Sequence, residues 1–342
     1  MVTWLTALKQ SIPAWLQTLY DRPGFIRFSR EGNIIEPTER TGLGASALAL
    51  KVAYQIDWWP QLDQATRTGW CGHLRGFQRR RTGFFEGQAV LRTADRNAGL
   101  FKKNIGVRLA ETRQAVSALL GVGERPEHPV SKVPAPGAAL QRTLESYNWH
   151  KLPWHAGSQT SHHVYFHRLN GNEEAVQQIL SFLDDLQDPN TGSWHRGDPS
   201  PTQKVNAAMK ILTAYALLEH PFRYPEKLID LALSHTDHSR HACNSIDTLY
   251  VMHQASAYTD HRSDAIALHA EQFLESVKAH RKPDGAFSYY PDRANDRYYG
   301  ADVSQGLVES DIHGTHLLVW AVTLSARVLG FADELGWRIP VT

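Results

Sequence analysis

Several features that define other protein classes are scarce or missing in this sequence of 342 residues. Its two cysteines, Cys71 and Cys243, are too few for a disulfide framework or a cysteine-rich zinc site. No apolar run approaches the roughly 18 residues that a membrane span needs. The N-terminus lacks a basic segment followed by a long apolar one. We therefore expect a cytoplasmic protein with no transmembrane segment.

Neither sign of charge is in excess, because 36 basic side chains face 35 acidic ones. This balance argues against a nucleic-acid partner. The GxSxG elbow, the P-loop, HExxH and a dinucleotide GxGxxG are also missing, which removes the usual support for serine hydrolases, kinases, zincins and dehydrogenases. The expected partner is a small-molecule or glycan substrate. No cofactor is predicted, a divalent metal is left open, and the oligomeric state is not specified by the sequence.

What the chain does have is ten tryptophans and eighteen histidines, side chains that stack on substrates and move protons. It also has several segments with apolar residues at i, i+3, i+4 and i+7, the spacing of one helix face. Convincing alternating strands are absent. The helices predicted from this spacing span residues 43–56, 107–120, 173–186, 205–218, 263–279 and 312–329.

A phrase recurs between these helices: an amphipathic helix, a polar turn, a glycine and then an aromatic residue. It occurs as RPGFIRF, RTGFFEG, PNTGSWH and PDGAFSYY, around Gly24, Gly83, Gly192 and Gly285. If each of the two longer stretches between successive glycines of this phrase contains one degenerate copy, the period is about 50 residues and the chain holds six units. Six helical hairpins in a ring form an all-α toroid.

The stretch FLDDLQDPNTGSW resembles the repeat of squalene cyclases and of protein prenyltransferase β subunits, and RKPDGAFSYY resembles a second copy. This resemblance to the terpenoid-cyclase and prenyltransferase-like superfamily implies a single α/α toroid with a central aromatic cavity. It also implies a lyase or cyclase type of enzyme. Two signatures of those families are missing, namely the Asp-x-Asp-Asp acid of class II cyclases and the Asp-x-Cys pair that binds zinc in prenyltransferases.

The domain organisation is predicted as one domain over residues 1–342. Residues 121–140 are rich in proline and glycine and are interpreted as a long connection that replaces part of a hairpin. The alternative, an interdomain linker, is left open by the sequence. The single-domain interpretation is favoured because the recurring phrase continues on both sides of this segment.

The leading catalytic candidates lie in VSQGLVESDIHGTH, residues 303–316. Ser310 or Asp311 is predicted to cap the helix that follows. His313 falls on the side of that helix that carries its apolar face, so it is predicted to point into the toroid as an acid or base with Asp311 or Glu309. The alternative is a buried histidine that is only hydrogen-bonded.

A second set of candidates follows the acidic helix end at residues 182–188. His195 and Asp198 are predicted to exchange protons. Trp194, with Trp154, is predicted to bind substrate and to stabilise a cationic intermediate through its ring face. The alternative is that Trp194 wedges between helices and Asp198 caps a turn.

Further substrate-binding candidates are polar or aromatic residues near predicted helix starts. Asn244 and Asp247 are expected to line the cavity, and Tyr299 completes the set with His155. For a uronate-cleaving enzyme, polar side chains that neutralise a carboxylate or take a proton are required. The residues that fit such a list are Asn148, His155, His162 and Arg168.

Two apparent metal motifs are interpreted as ordinary surface. DDLQD spells a magnesium motif, but Pro189 should end the helix before Asp188 can share a face with Asp184 and Asp185. The histidines and aspartate His235, Asp237, His238 and His241 are typical zinc ligands. Without a sustained helix to gather them, they are predicted to form a hydrophilic loop.

Three functions remain open from the sequence. The first is a cyclase or lyase of the superfamily named above. The second is a polysaccharide lyase or glycoside hydrolase acting on uronic-acid-containing glycans, and the third is a toroid that binds a ligand without catalysis. Polarity separates the first two, because a cyclase needs a nearly dry aromatic cavity whereas a sugar needs His, Arg and Asn.

Overall fold

A computed structural model of the chain describes residues 3–38, 41–88, 90, 105–235 and 241–342. Helices dominate this part of the chain. Two short antiparallel ribbons join them, β1 (Tyr20–Arg22) with β2 (Phe25–Ile26), and β3 (Arg297–Tyr298) with β4 (Ala301–Asp302). The helices are α1 (Thr3–Leu19), α2 (Leu43–Gln55), α3 (Gln64–Gly76), α4 (Ile105–Gly121), α5 (Ala138–Ser146), α6 (Pro153–Leu169), α7 (Glu173–Leu186), α8 (Pro201–Leu218), α9 (Pro225–Ser234), α10 (Ala242–Ala255), α11 (Ser263–Ser276), α12 (Ile312–Val328) and α13 (Ala332–Leu335).

All six helices predicted from periodicity are confirmed. The prediction for α7 is correct at both ends. The prediction for α8 starts four residues late, because Ser200 caps the helix and Pro201 occupies its first turn. The last turn predicted for α11 is instead a short 3₁₀ helix over Val277–His280.

Long helices alternate between two kinds along the described chain. Amphipathic helices such as α3 and α5 bury few residues, whereas the helices that follow them, α4 and α6, are buried on most sides. Six successive pairs result, from α1–α2 to α11–α12. Two pairs lack the glycine phrase. The pair α5–α6 lies between Gly83 and Gly192, and the pair α9–α10 lies between Gly192 and Gly285. The all-α class is therefore confirmed, and the order of helices is consistent with the predicted α/α toroid.

Glycine at the recurring turn is explained by the backbone. Gly24, Gly83, Gly192 and Gly285 all have positive φ, between 71° and 109°. At three of these turns, isolated β-bridges close the loop around the glycine: Gln78 with Phe85, Gln187 with Trp194, and Arg281 with Phe287. Only glycine enters this left-handed region without a steric cost. The repeated phrase in the sequence is thus a repeated tight turn between paired helices.

We expect the Gly192→Ala substitution to lower the free energy of unfolding by about 2 to 4 kcal/mol. A Cβ there would lie 2.8 Å from the Tyr224 carbonyl oxygen and 3.0 Å from the Leu228 backbone nitrogen. Gly171 is a matched control, because its φ is also +71° but a Cβ would meet nothing within 4 Å. Urea unfolding of Gly171→Ala should show a loss of only about 1 kcal/mol. Equal losses for the two variants would contradict the steric explanation.

Two compact units divide the chain. The first comprises Met1–His128, Arg240–Cys243 and Gln272–Thr342, and the second comprises Pro129–Ser239 and Asn244–Glu271. Within the first unit α2 packs against α4 and α12, and within the second α6 packs against α7 and α8. The single-domain interpretation and the role assigned to residues 121–140 stay predictions. Within the described ranges, no helix has both the length and the apolar character to cross a bilayer.

Candidate active site

Polar side chains gather inside the first unit, on helices that are otherwise apolar. Lys51 comes from α2, while Glu111, Arg113 and Gln114 come from the middle of α4. Tyr298 and Tyr299 come from the β3–β4 ribbon and its turn. We call these six residues the Lys51–Glu111 cluster. Three of its four α2 and α4 members, Lys51, Glu111 and Arg113, are at most 8% exposed.

Lys51 is a buried cation held by a neutral group. Its Nζ donates a hydrogen bond to Gln114 Oε1 at 2.5 Å, and no carboxylate of the described residues pairs with it. Burial, with a smaller effect of the nearby charge of Arg113, lowers the pKa of Lys51 to about 7. Desolvation disfavours the charged form of an amine, so near pH 7 Lys51 is present in both forms, and an approaching anion favours the protonated one.

Glu111 is the complementary acid of the cluster. Burial raises the pKa of its carboxyl to about 7, in spite of hydrogen bonds from the backbone of Gly87 and Val90. The Gly87 N–H donates to Oε2 at 3.1 Å. A carboxylate offers about four acceptor positions, so these two donors leave capacity for a further partner. Near neutral pH, Glu111 is therefore present in both protonated and ionised forms.

The two tyrosines connect the acid to the amide that holds Lys51. Gln114 Nε2 donates to the Tyr299 hydroxyl at 3.4 Å, and the rings of Tyr298 and Tyr299 lie 4.3 Å apart. The neighbouring charge of Glu111 raises the pKa of both phenols further, after burial, which is the larger cause. Tyr299 has φ +48° and is half-buried. Tyr299, a predicted substrate-binding residue, is thus a member of the cluster, and its role stays a prediction.

An aromatic stack stands at the start of α12 in the same unit. The ring of Tyr289 lies between His241, at 5.5 Å, and His313, at 4.9 Å, with nearly parallel planes to both. All three side chains are half-buried. His313 Nδ1 lies 3.0 Å from Asn295 Nδ2, which orients the imidazole. A half-buried stack of this kind offers a surface to a flat ligand.

Asp311 caps α12, where the sequence predicts either Ser310 or Asp311 as the cap. Its Oδ1 accepts from the Gly314 N–H at 2.8 Å, and its Oδ2 accepts from Tyr289 at 2.7 Å and Asn295 at 3.0 Å. The His313 N–H also lowers its pKa, which burial nevertheless raises to about 6. Four donors fill the acceptor capacity of a carboxylate. Asp311 therefore positions the backbone around His313, and an acid or base role for it stays a prediction.

Glu309 is also engaged by backbone. Its two oxygens accept from the N–H groups of Glu31 and Gly32, at 2.8 and 2.7 Å. These bonds fix the turn at residues 31–32 to the segment before α12. The predicted orientation of His313 by Glu309 is not among these contacts, and the side chain that lies against the imidazole nitrogen is Asn295.

In the second unit, α8 and α10 bring together polar residues that the sequence places separately. Asn206 Nδ2 donates to Asn244 Oδ1 at 3.3 Å, and Lys210 Nζ lies 3.6 Å from Asp247 Oδ1. Asp247 is 1% exposed. Each pair joins one turn of α8 to one turn of α10. Asn244 and Asp247 thus each contact a different polar side chain of α8, and their predicted substrate-binding role stays a prediction.

The residues predicted as functional beside the turn at Gly192 have different surroundings. Trp194 is fully buried and its ring lies tilted to Tyr215 and edge-on to Phe222, as the packing alternative expects, and its substrate-binding role stays a prediction. His195 Nε2 lies 2.9 Å from Thr191 Oγ1, inside the turn itself. Asp198 is 92% exposed in its side chain and pairs with Lys204 at 2.6 Å. The alternative of a hairpin-closing segment describes these contacts best.

The candidates around α6 are spread over different environments. Trp154 is half-buried and His155 is exposed, both on the first turn. Asn148 is exposed and caps its own turn by accepting from the Lys151 N–H. His162 is buried beside Ser158, and Arg168 forms an exposed pair with Glu173. These residues have different surroundings, and their role as one uronate site stays a prediction.

Two segments that resemble metal motifs in the sequence are the acidic end of α7 and the histidine loop that begins at His235. Their described residues make other contacts. Helix α7 ends at Leu186, and Asp188 Oδ1 accepts from Asn190, from Thr191 and from its hydroxyl, which closes a turn. Of the proposed loop, Asp237 and His238 lie outside the described residues, whereas His241 belongs to the aromatic stack. In the described ranges, no three His, Cys, Asp or Glu side chains are placed to hold a metal ion.

Comparisons with known proteins give little at the level of sequence. No protein-family model matches the chain, and no curated protein matches it. Among solved structures, it is similar to a mutant of unsaturated glucuronyl hydrolase from Streptococcus agalactiae, with 12% identity and a TM-score of 0.47. The match covers 98% of this chain and 92% of that chain. We draw nothing about chemistry from a likeness at this level.

Proposed function

We propose that the chain is a carbohydrate-active enzyme that cleaves a glycosidic bond beside a uronic acid residue, at the Lys51–Glu111 cluster. The observation that carries this proposal is the buried Lys51. Its positive charge has an amide partner and a repelling neighbour, Arg113, but no carboxylate partner in the described part of the chain. A sugar carboxylate supplies the missing partner.

Binding of that carboxylate follows from electrostatics in a buried place. A charge-assisted hydrogen bond is about twice as strong as a neutral one. An anion beside Lys51 also raises its pKa above 7, so binding takes up a proton at pH values above 7. The affinity for a uronate is therefore highest below pH 7 and falls as the pH rises through that value.

Glu111 is then the proton donor. A leaving alkoxide oxygen needs a proton, and a general acid works best when its pKa lies near the working pH. The raised pKa of Glu111, about 7, keeps a protonated fraction at neutral pH. Its two backbone donors hold the carboxyl in position while an acceptor position stays open. Cleavage by water and cleavage by elimination both require this proton.

Aromatic residues of the same unit supply the surface for the sugar ring. The half-buried stack of His241, Tyr289 and His313 presents ring faces and imidazole nitrogens together. Aromatic faces bind the apolar side of a sugar, and nitrogen atoms pair with its hydroxyls. This mixture of aromatic and polar groups fits a glycan better than the nearly dry cavity that a cyclase needs. The squalene-cyclase-type interpretation has no specific support.

The direct test is to incubate the protein with uronic-acid oligosaccharides and to analyse the products by mass spectrometry. Matched oligosaccharides in which each carboxylate is reduced to an alcohol are the control. We expect cleavage of the acidic set alone. Products that together gain the mass of water indicate hydrolysis, and products that keep the substrate's mass and absorb in the ultraviolet indicate elimination. Turnover of an isoprenoid diphosphate with no glycan cleavage would contradict the proposal.

We predict that Lys51→Met raises KM for acidic oligosaccharides by about 10- to 100-fold, the loss expected for a hydrogen bond to a charged group. The apolar methionine fits the buried position, so folding is retained. Lys278→Met, on an exposed lysine paired with Glu275, is the control and should leave KM unchanged. An unaltered KM in the Lys51 variant contradicts the assignment of Lys51 as the carboxylate partner.

A further inference from the structure

A cavity of about 510 Å³ lies in the first unit and is lined by none of the six residues of the cluster described above. Its walls come from the turn after β1, from α3 and from the segment that follows α3. Neither Lys51 nor Glu111 lines it. The side chains and glycines that matter for its chemistry are Arg22, Gly72, His73, Gly76, Arg79 and Glu86.

The floor of the cavity is a flat strip of helix. Gly72 and Gly76 stand one turn apart on α3, and a Cβ on either would meet nothing within 4 Å. Because open space lies directly above the helix backbone here, a ring can approach it face-on. A volume of this size is within the usual range for small-molecule sites, about 300 to 1,000 Å³.

The charge of the cavity is positive. Glu86 is 5% exposed in its side chain and is paired twice, with Arg79 and Arg108, each at 3.0 Å. Arg22 lies over the Phe25 ring, at 5.8 Å from its centroid, and not against a carboxylate of the described residues. The guanidinium of Arg22 is therefore the cation with capacity for an anionic ligand.

His73 adds an unsatisfied polar atom. Its Nε2 is buried and has no hydrogen-bond partner among the described residues, while its ring packs edge-on to Phe25 and Phe77. Burial, with a smaller effect of Arg22, lowers the pKa of His73 to about 4, so the imidazole is neutral at pH 7. Because Nε2 itself has almost no accessible surface, His73 contributes a neutral aromatic ring to the cavity lining.

We propose that this cavity is a second binding site, separate from the Lys51–Glu111 cluster, for a sugar ring that carries an anionic group. Arg22 binds the anionic group, and the ring lies on the strip formed by Gly72 and Gly76, beside the His73 imidazole that lines the cavity. The anionic group is a carboxylate or a sulfate, which share this chemistry. The site does not depend on the proposed catalytic function, because its ligand binds without being cleaved.

Backbone NMR of the ¹⁵N-labelled full chain tests this inference, since glycine amides report on the floor directly. The probes are glucuronate, glucose 6-sulfate and glucose. We expect one or both anionic sugars to shift the amides of Gly72 and Gly76, and glucose to leave them in place. A response to glucuronate alone identifies a carboxylate site, and a response to glucose 6-sulfate alone identifies a sulfate site.

Two variants confirm the location. Arg22→Ala removes the cation and should weaken binding by about tenfold or more. Gly72→Leu fills the open space and also favours the helix, so it should abolish binding without loss of folding. Arg67→Ala, on the same helix but outside the cavity, is the control for Arg22→Ala. Thermal unfolding of each variant verifies that the chain is folded.

Three results would overturn the second site: no shift at Gly72 and Gly76 with either anion, equal shifts with glucose, or undiminished shifts in Gly72→Leu. Its failure is distinguishable from failure of the proposed function. Shifts by glucuronate at Gly87, beside Glu111, without shifts at Gly72 and Gly76 remove the second site and leave the catalytic proposal standing. Shifts at Gly72 and Gly76 without cleavage of any glycan do the reverse.

Discussion

The Glu111→Gln variant is expected to cleave uronic-acid oligosaccharides about a hundredfold to ten-thousandfold more slowly than the native protein, the usual contribution of a general acid. Glutamine keeps the shape of the side chain and can still accept from the Gly87 N–H, but it has no proton to donate. In the native protein kcat should fall as the pH rises through about 7, because Glu111 then loses its proton. The measurement is kcat against pH for both proteins.

Measurements of stability distinguish this loss of activity from a folding defect. The pKa of Glu111 is higher in the folded chain than in the unfolded one, so the native protein loses stability as the pH rises from about 4.5 to about 7. Glutamine does not titrate, and the variant should be at least as stable as the native protein at pH 8. The exposed Glu145→Gln is the control. Full activity in Glu111→Gln would exclude Glu111 as the proton donor.

The Asp311→Ala variant is expected to lose about 4 kcal/mol of unfolding free energy, since it leaves buried N–H groups of Tyr289, Asn295 and Gly314 without an acceptor. This variant should also disturb the stack that Tyr289 forms with His313. Urea unfolding measures the stability, and near-ultraviolet circular dichroism reports on the aromatic stack.

Two comparisons make the result specific. Asp63 also caps a helix, α3, but is exposed, so Asp63→Ala should cost much less. Asp311→Asn retains one accepting oxygen and should lie between the native protein and Asp311→Ala. A loss in Asp311→Ala no larger than in Asp63→Ala would contradict the structural role assigned to this carboxylate.

Helices with one apolar stripe are predictable from this sequence, and helices without one are not. In α7 the stripe, the Asn172 cap and Pro189 after the end all agree, and the predicted bounds are correct. In α6, PWHAGSQTSHHVYFHRL is buried on most sides, so polar and apolar residues both face protein and no periodicity survives. Burial on many sides removes the contrast on which the helical pattern depends.

The same contrast explains why Lys51 and Glu111, the residues of the proposed site, do not stand out in the sequence. Histidine-rich and tryptophan-rich clusters attract attention because of their composition, yet Trp194 is core and Asp198 is solvent-exposed. Lys51 and Glu111 lie within helices that look like plain structural ones. The signal of Lys51 is that it is the single charged residue inside LGASALALKVAYQI, which indicates a buried charge once the helix is known to be covered. Glu111 has no such signal, because Arg108 and Arg113 lie on the same helix. Which of several such residues meet in space depends on tertiary contacts.

The most direct test of the central claim is a crystal structure of the Glu111→Gln variant with a uronic-acid disaccharide that it does not cleave. We predict that the sugar carboxylate lies within hydrogen-bond distance of Lys51 Nζ and that the glycosidic oxygen faces the side-chain amide at position 111. A disaccharide bound with its carboxylate away from Lys51, or no disaccharide in the Lys51–Glu111 cluster, would contradict the proposed function.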